Sequence, residues 1–173
     1  DRSGLQGVRA RAAGGVRAIV IATSDKCYEN RQSTSGYHET DRLGGHDPYS
    51  ASKAATELVA RSWRASYFGG AGSPALAVAR GGNVIGGGDW GEDRLIPDII
   101  RNGIQGQPAV LRYPEATRPW QHVLDVLSGY LAYAERLTLK PGDTPTSLNF
   151  GPSRDEPTIC VREIAERVQA ELG

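Results

Sequence analysis

Hydrophobic positions in this chain gather into short runs separated by long polar stretches. Val16 to Ala22 is almost wholly apolar and rich in β-branched residues. That pattern predicts a strand buried on both faces, of the kind found in parallel sheets. Gly14-Gly15 breaks the chain just before it, and Val8 to Ala13 reads as the tail of a helix. Ala75 to Arg80 predicts a second strand of the same type. Between the two, Thr23 to Asp47 is polar and glycine-rich and reads as loop. Loops longer than about 12–15 residues are usually functional or disordered. A helix is expected from Pro48, with Asp47 as its N-cap and Pro48 in the first helical position. Ala51, Ala54, Ala55, Leu58, Ser62 and Ala65 recur at helical spacing and predict one narrow face of small side chains, suited either to sheet packing or to a contact between helices, with the helix ended by Gly69-Gly70.

Beyond the second strand the elements shorten. Gly81 to Gly91 reads as a glycine-rich loop, and Leu95 to Ile104 as a short helix with Pro97 in its first turn. Pro108 to Leu111 and Trp120 to Val123 predict short strands, Leu124 to Leu137 a helix, Leu148 to Phe150 a strand, and Val161 to Leu172 an amphipathic helix. Strand, long loop, helix, strand is the order of a parallel α/β sheet. The mixed elements after Gly86 predict a smaller α+β lobe beside it.

Charge narrows the possible partners. Lys+Arg and Asp+Glu are equal at 20 each, so no basic excess points to nucleic acid. No apolar run approaches the roughly 20 residues of a membrane span. Cys27 and Cys160 are the two cysteines, far apart, which suits neither a disulfide framework nor a metal cluster and fits a cytoplasmic protein. The chain lacks methionine even at position 1. It is therefore expected to be an internal piece of a longer protein.

Two constellations carry candidate chemistry. Tyr49 and Lys53 are four residues apart, so on a helix a phenol and an ammonium share one face. A free phenol has a pKa of about 10, and a neighbouring cation favours its anion. Thr23-Ser24-Asp25-Lys26 follows the first strand directly. Ligands of open α/β sheets bind beyond the carboxyl ends of the strands. Each pattern alone is weak, because Tyr and Lys meet by chance in many helices and Ser and Asp favour ordinary turns.

In combination, with Pro-Tyr-Ser-Ala-Ser-Lys after the long loop, they resemble the extended short-chain dehydrogenase/reductase family. Five ordered blocks resemble its nucleotide-sugar 4,6-dehydratases, in particular the branch acting on CDP-glucose. They are Thr23 to Asn30, Gly44 to Ser50, Gly82 to Trp90, Asp93 to Asp98 and Arg118 to Val123. The resemblance implies the C-terminal part of a Rossmann-like parallel sheet domain plus a smaller substrate-binding lobe. Residues 1–85 would form the second half of the NAD-binding domain. Residues 86–173 would form mainly the substrate lobe, with 147–151 returning to the sheet.

The resemblance also implies roles. Tyr49 would take a proton from the glucose 4-hydroxyl while NAD takes the hydride from C4. Ser24 would hydrogen-bond the 4-oxygen. Asp25 would act as general acid on the departing 6-hydroxyl, and the hydride would return to C6. Thr23, Tyr49 and Lys53 would contact the cofactor, and Asn83, Arg94 and Arg118 the substrate's diphosphate, a task suited to a forked guanidinium. Lys26 stands where the dTDP-glucose relatives carry a Glu. It would need a pKa lowered by burial or a nearby cation, or it would act electrostatically on the enolate. Gly81, Gly86, Gly87 and Gly88 suit close backbone approach to a ligand.

The glycine-rich dinucleotide fingerprint of the family is absent, and Gly81 to Gly86 does not replace it. The 173-residue chain alone is therefore expected to bind NAD weakly or not at all and to show no turnover. The full-length parent is expected to be a homodimer, with the Tyr49 helix in its interface. The competing readings are another extended short-chain enzyme, such as a nucleotide-sugar epimerase or a GDP-mannose or dTDP-glucose dehydratase, and a non-catalytic nucleotide-sugar-binding module.

Overall fold

A computed structural model describes residues 15–31, 33, 35–70, 72–153 and 155–172. The expected helix tail at Val8 to Ala13 lies outside the described residues. In chain order the elements are β1 (Ala18–Ser24), α1 (Pro48–Tyr67), β2 (Ala75–Gly81), β3 (Asn83–Ile85), α2 (Leu95–Ile104), β4 (Trp120–His122), α3 (Val123–Leu139), β5 (Ser147–Phe150) and α4 (Val161–Leu172). Short 3-10 turns occupy Asp25–Cys27 and Pro141–Asp143. The chain divides into two units. One runs to Gly81 and includes Leu127–Phe150, and the other comprises Gly82–Val126 and Gly151–Gly173.

The first unit is a parallel sheet in the order β1-β2-β5. β1 pairs with β2 from Ala18↔Ala75 to Ser24↔Gly81, and β2 pairs with β5 from Val78↔Ser147 to Gly81↔Phe150. Side chains alternate across a strand, and β2 uses both faces. Leu76 and Val78 pack with Ala60 of α1, flanked by Ile19, Ile21 and Phe68. Ala77 and Ala79 pack with Tyr133 and Leu137 of α3, flanked by Val20, Leu148 and Phe150. Each fully buried Leu or Val contributes roughly 1.5–3 kcal/mol, so these two layers hold the sheet between its helices.

Two expectations need correction here. β1 packs on both faces, with Ile19 and Ile21 on one and Ala18 and Val20 on the other, but its residues are mostly half-buried rather than buried, since among the described residues it pairs with β2 alone. It also runs on through Thr23 and Ser24, so the polar residues end the strand rather than begin a loop. The buried face of α1 is Ser50, Ala54, Glu57 and Ala60. Ala51, Ala55, Leu58, Ser62 and Ala65 face outward. Of the two alternatives for the small face, sheet packing is not the one found, since the face on the sheet carries the Glu57 carboxylate.

The second unit holds β3 and β4 as a parallel pair, from Asn83↔Trp120 to Ile85↔His122. β3 lies within the stretch expected to be loop. α2 packs on α4, with Gly103 against Leu172. The Trp120 indole donates to the Ile159 carbonyl at 3.2 Å, and Val161 N donates to Ala116 O at 2.9 Å. Pro108 to Leu111 is not a strand. Pro108 has no N–H to give a ladder, and Val110 is 87% exposed.

Candidate active site

The carboxyl end of β1 sets the first part of the site. Ser24 is buried at the strand's last position and caps the 3-10 turn that follows. Its hydroxyl donates to Asp25 Oδ1 at 3.0 Å and accepts from Lys26 N at 3.2 Å. Asp25 is half-buried and Lys26 exposed. The turn ends at Cys27, which is fully buried, and burial pushes its thiol up to about 12 against the opposing pull of the Arg80 cation.

α1 packs on this turn and brings Tyr49 and Lys53 to it. Asp47 starts the helix as expected. Its Oδ1 accepts from Ser50 N at 2.9 Å and its Oδ2 from Ser50 Oγ at 2.6 Å. Those two bonds, with help from the Lys26 charge, hold the Asp47 carboxyl below the usual range. Tyr49 is 55% exposed. Lys53, one turn on, is half-buried with Nζ 5.4 Å from the centre of the Tyr49 ring, within reach of a cation–π contact. Gly45 lies against the same first turn. A Cβ placed on it would come within 2.4 Å of Ser50 Cβ and 2.7 Å of Ala51 N.

Behind these residues lies a polar cluster that the sequence reading passed over. Glu57, on α1 one turn beyond Lys53, is 4% exposed, and Arg80 of β2 is 2% exposed. Arg80 Nε donates to Glu57 Oε1 at 3.0 Å and Nη2 to Oε2 at 2.8 Å. Thr23 Oγ1 donates to the same Oε1 at 2.6 Å. Arg80 Nη1 reaches the Tyr28 hydroxyl at 2.7 Å and the Glu39 carbonyl at 3.0 Å. The Tyr28 hydroxyl in turn donates to Asn149 Oδ1 at 2.6 Å. Asn149 N donates to Glu39 Oε1, and its amide to Tyr37 O. Burial works against the Arg80 cation, and its bonds to Glu57 and Tyr28 outweigh it, so its pKa is raised. The available signal was an arginine inside an otherwise apolar strand.

Thr23, expected at the cofactor, has its hydroxyl on Glu57 in the interior. Ser24, Asp25, Lys26, Tyr49 and Lys53 all belong to the first unit, and Asn83, Arg94 and Arg118 to the second. Asn83 opens β3 and is half-buried. Arg94 is exposed and paired with Asp89 at 2.8 Å. Arg118 Nη1 donates to Thr117 O at 2.8 Å. Gly81 approaches the protein's own interior, since a Cβ there would meet the Tyr130 hydroxyl at 2.6 Å.

The donor set at the sheet's carboxyl end fits the nicotinamide-ribose end of a dinucleotide. It offers an exposed phenol and an ammonium one helical turn apart. Among the described residues Lys53 has no acidic partner at ion-pair distance. The NAD dependent epimerase/dehydratase family matches residues 6–151. The chain belongs to this family. CDP-glucose 4,6-dehydratase of Salmonella typhimurium is 47% identical over 162 residues, covering 91% of this chain and 45% of that protein. dTDP-glucose 4,6-dehydratase of the same organism is 27% identical over 134 residues, covering 77% of this chain and 34% of the relative. The chain thus spans less than half the length of these relatives. Among solved structures, a dTDP-glucose 4,6-dehydratase from Streptomyces venezuelae with NAD bound superposes with a TM-score of 0.72 at 25% identity. It covers 96% of this chain and 47% of the neighbour. UDP-N-acetylglucosamine 4-epimerase from Bacillus cereus, at 17% identity and TM-score 0.75, shares the fold.

Proposed function

We propose that this chain is the catalytic part of a nucleotide-sugar 4,6-dehydratase that converts CDP-glucose to CDP-4-keto-6-deoxyglucose and water. The observation that carries the reading is the placement of Tyr49 and Lys53 on a helix packed against the Ser24–Asp25 strand end. Identity of 47% to a CDP-glucose 4,6-dehydratase supports the substrate.

In this reading Tyr49 accepts the proton of the sugar 4-hydroxyl. Lys53, whose Nζ lies 5.4 Å from the Tyr49 ring centre, holds the cofactor ribose and keeps a positive charge beside the phenol. Ser24 hydrogen-bonds the 4-oxygen as it becomes a carbonyl. NAD, when bound, would supply the hydride acceptor for C4 and, once reduced, the hydride donor for C6. The 4-keto group acidifies the C5 proton, which passes to solvent water as Asp25 gives a proton to the departing 6-hydroxyl, and a solvent proton returns to C5 when C6 receives the hydride. Lys26, exposed, stabilises the enolate by its charge. We assign Asn83, Arg94 and Arg118 to the diphosphate. For Arg94 this requires exchanging Asp89 for a phosphate oxygen, a modest cost for an exposed pair.

We assign the first unit to the cofactor and the second chiefly to the sugar nucleotide. No helix among the described residues is long and apolar enough to cross a membrane, which suits work on a cytoplasmic nucleotide sugar. The complete protein is proposed to be a homodimer, supported by the exposed stripe of Ala51, Ala55, Leu58, Val59 and Ser62 on α1. The test is an assay of the complete protein with CDP-, dTDP-, UDP- and GDP-glucose in deuterated water. The expected product is the 4-keto-6-deoxy sugar with solvent deuterium at C5, formed fastest from CDP-glucose and lost in Tyr49→Phe. A C4 epimer as product, or full turnover by Tyr49→Phe, overturns the reading.

A further inference from the structure

We propose that Glu57, through its buried pairing with Arg80, is the positioning residue that sets the angle of α1 and so carries Tyr49 and Lys53 to Ser24 and Asp25. The inference rests on the reading above, in which Tyr49 and Lys53 are catalytic.

Apart from Glu57, α1 presents only small side chains among its buried residues. Its buried side chains are Ser50, Ala54, Glu57 and Ala60. Alanine and serine present a nearly smooth surface, with no ridge of large side chains to fit a groove. Such a helix can roll or slide on the sheet at little cost in apolar contact. Glu57 supplies the missing registration. Its Oε1 accepts from both Thr23 and Arg80, which face each other across the β1–β2 ladder. Its Oε2 accepts from the second arm of the Arg80 fork. A bidentate carboxylate–guanidinium pair fixes direction as well as distance. One side chain therefore ties the helix to two adjacent strands, at the register just before Ser24 and Gly81.

The helix then transmits that setting. At about 100° per residue, Lys53 lies about 40° around the axis from Glu57, and Tyr49 about 80°. The burial follows this turn, with Glu57 buried, Lys53 half-buried and Tyr49 exposed. A small roll at Glu57 moves the phenol across the mouth of the site. The same cluster holds the other wall, because Arg80 Nη1 also binds the Tyr28 hydroxyl and the Glu39 carbonyl of the long loop. A buried pair that only stabilised the fold could be replaced by apolar side chains without loss, and often is. Here that replacement separates stability from positioning.

The test uses the complete protein and CDP-glucose. Glu57→Leu combined with Arg80→Met removes both charges and fills the space. Arg80→Lys keeps a paired charge but loses the planar fork. Melting temperature, KM and kcat are measured for each, with Tyr49→Phe alongside. The double variant is expected to unfold cooperatively and to keep KM within about threefold. Its kcat should fall about 100-fold, the scale of a 1 Å misplacement of a reacting group. Arg80→Lys is expected to lose at least about 10-fold in kcat with KM again unchanged. A folded double variant with near-normal kcat overturns the proposal, as does an unfolded double variant paired with a fully active Arg80→Lys. If Tyr49→Phe retains full turnover, the catalytic reading itself fails. If it is inactive while the double variant is not, only the positioning role fails.

Discussion

Gly45→Ala is the substitution whose effect on the site can be worked most directly from contacts. The added Cβ would lie 2.4 Å from Ser50 Cβ, 2.6 Å from Ser50 C and 2.7 Å from Ala51 N. Carbon atoms rest at about 3.5–4.0 Å, so the shortfall is at least about 1 Å. Two of the three obstructing atoms are backbone, and Ser50 is buried with its hydroxyl and N–H both held by Asp47, so no rotamer change relieves the clash. Either the loop lifts or the first turn of α1 shifts, and Tyr49 is in that turn. Overpacking of this kind costs about 1–3 kcal/mol, and if Tyr49 acts as proposed, its displacement by near 1 Å should lower kcat about 100-fold. Gly142→Ala is the control, since a Cβ there meets nothing within 4 Å. Thermal melts and steady-state turnover of the complete protein should show a lower melting temperature and reduced kcat for Gly45→Ala and neither for Gly142→Ala. A Gly45→Ala enzyme with wild-type melting and kcat would refute the view that this contact seats the Tyr49 turn.

Three further outcomes are expected. Burial raises the Cys27 thiol from 9.0 to about 12, so the native state keeps a proton that the unfolded chain gives up above pH 9. Stability linked to this thiol is therefore intact below pH 9 and falls by about 1.4 kcal/mol per pH unit towards pH 12, a slope that urea titrations should find in the wild type and reduced in Cys27→Ala. Leu137→Ala, at a side chain 2% exposed between α3 and the sheet, should cost about 2–5 kcal/mol in denaturant unfolding, and a loss below 1 kcal/mol would contradict the packing described. Leu58→Glu, on the exposed stripe of α1, should shift the complete protein towards monomer in sedimentation velocity, and an unchanged sedimentation coefficient would remove that helix from the proposed dimer interface.

The parts of the site that could be read in the sequence follow a fixed local period. Tyr49 and Lys53 share a helix face whatever the helix packs against, and Asp47-Pro48 announces the helix start through local bonding alone. The helices Leu95–Ile104 and Val161–Leu172 were legible for the same reason. What was not legible depends on partners distant in sequence. β3 forms only because β4, more than thirty residues later, lies beside it, and nothing in Asn83-Val84-Ile85 announces that. Pro108 to Leu111 has strand-like side chains and lacks such a partner among the described residues. Which face of α1 meets the sheet was not legible either, because a hydrophobic count scores Glu57 as a surface residue.

The composition of the buried face bears on how the site is built. A helix that presented Leu and Val to the sheet would gain more from burial than one presenting Ser50, Ala54, Glu57 and Ala60. Two ionisable groups taken out of water carry a desolvation cost of several kcal/mol each, which their mutual attraction offsets only when the geometry is good. Here the geometry is good, with a forked contact at 2.8 and 3.0 Å and a third bond from Thr23. The polar solution is thus no obvious gain in stability over an apolar one. It does provide direction, because hydrogen bonds fix an angle where methyl groups do not. The small side chains also allow α1 to lie close to the ends of β1 and β2, where Ser24 and Asp25 are presented. Close approach and a fixed angle are what the proposed proton transfer between Tyr49 and a bound sugar requires, since each must come within about 2.6–3.2 Å of the other. The buried face of α1 is better explained by the placement of Tyr49 and Lys53 than by the stability of the sheet beneath it.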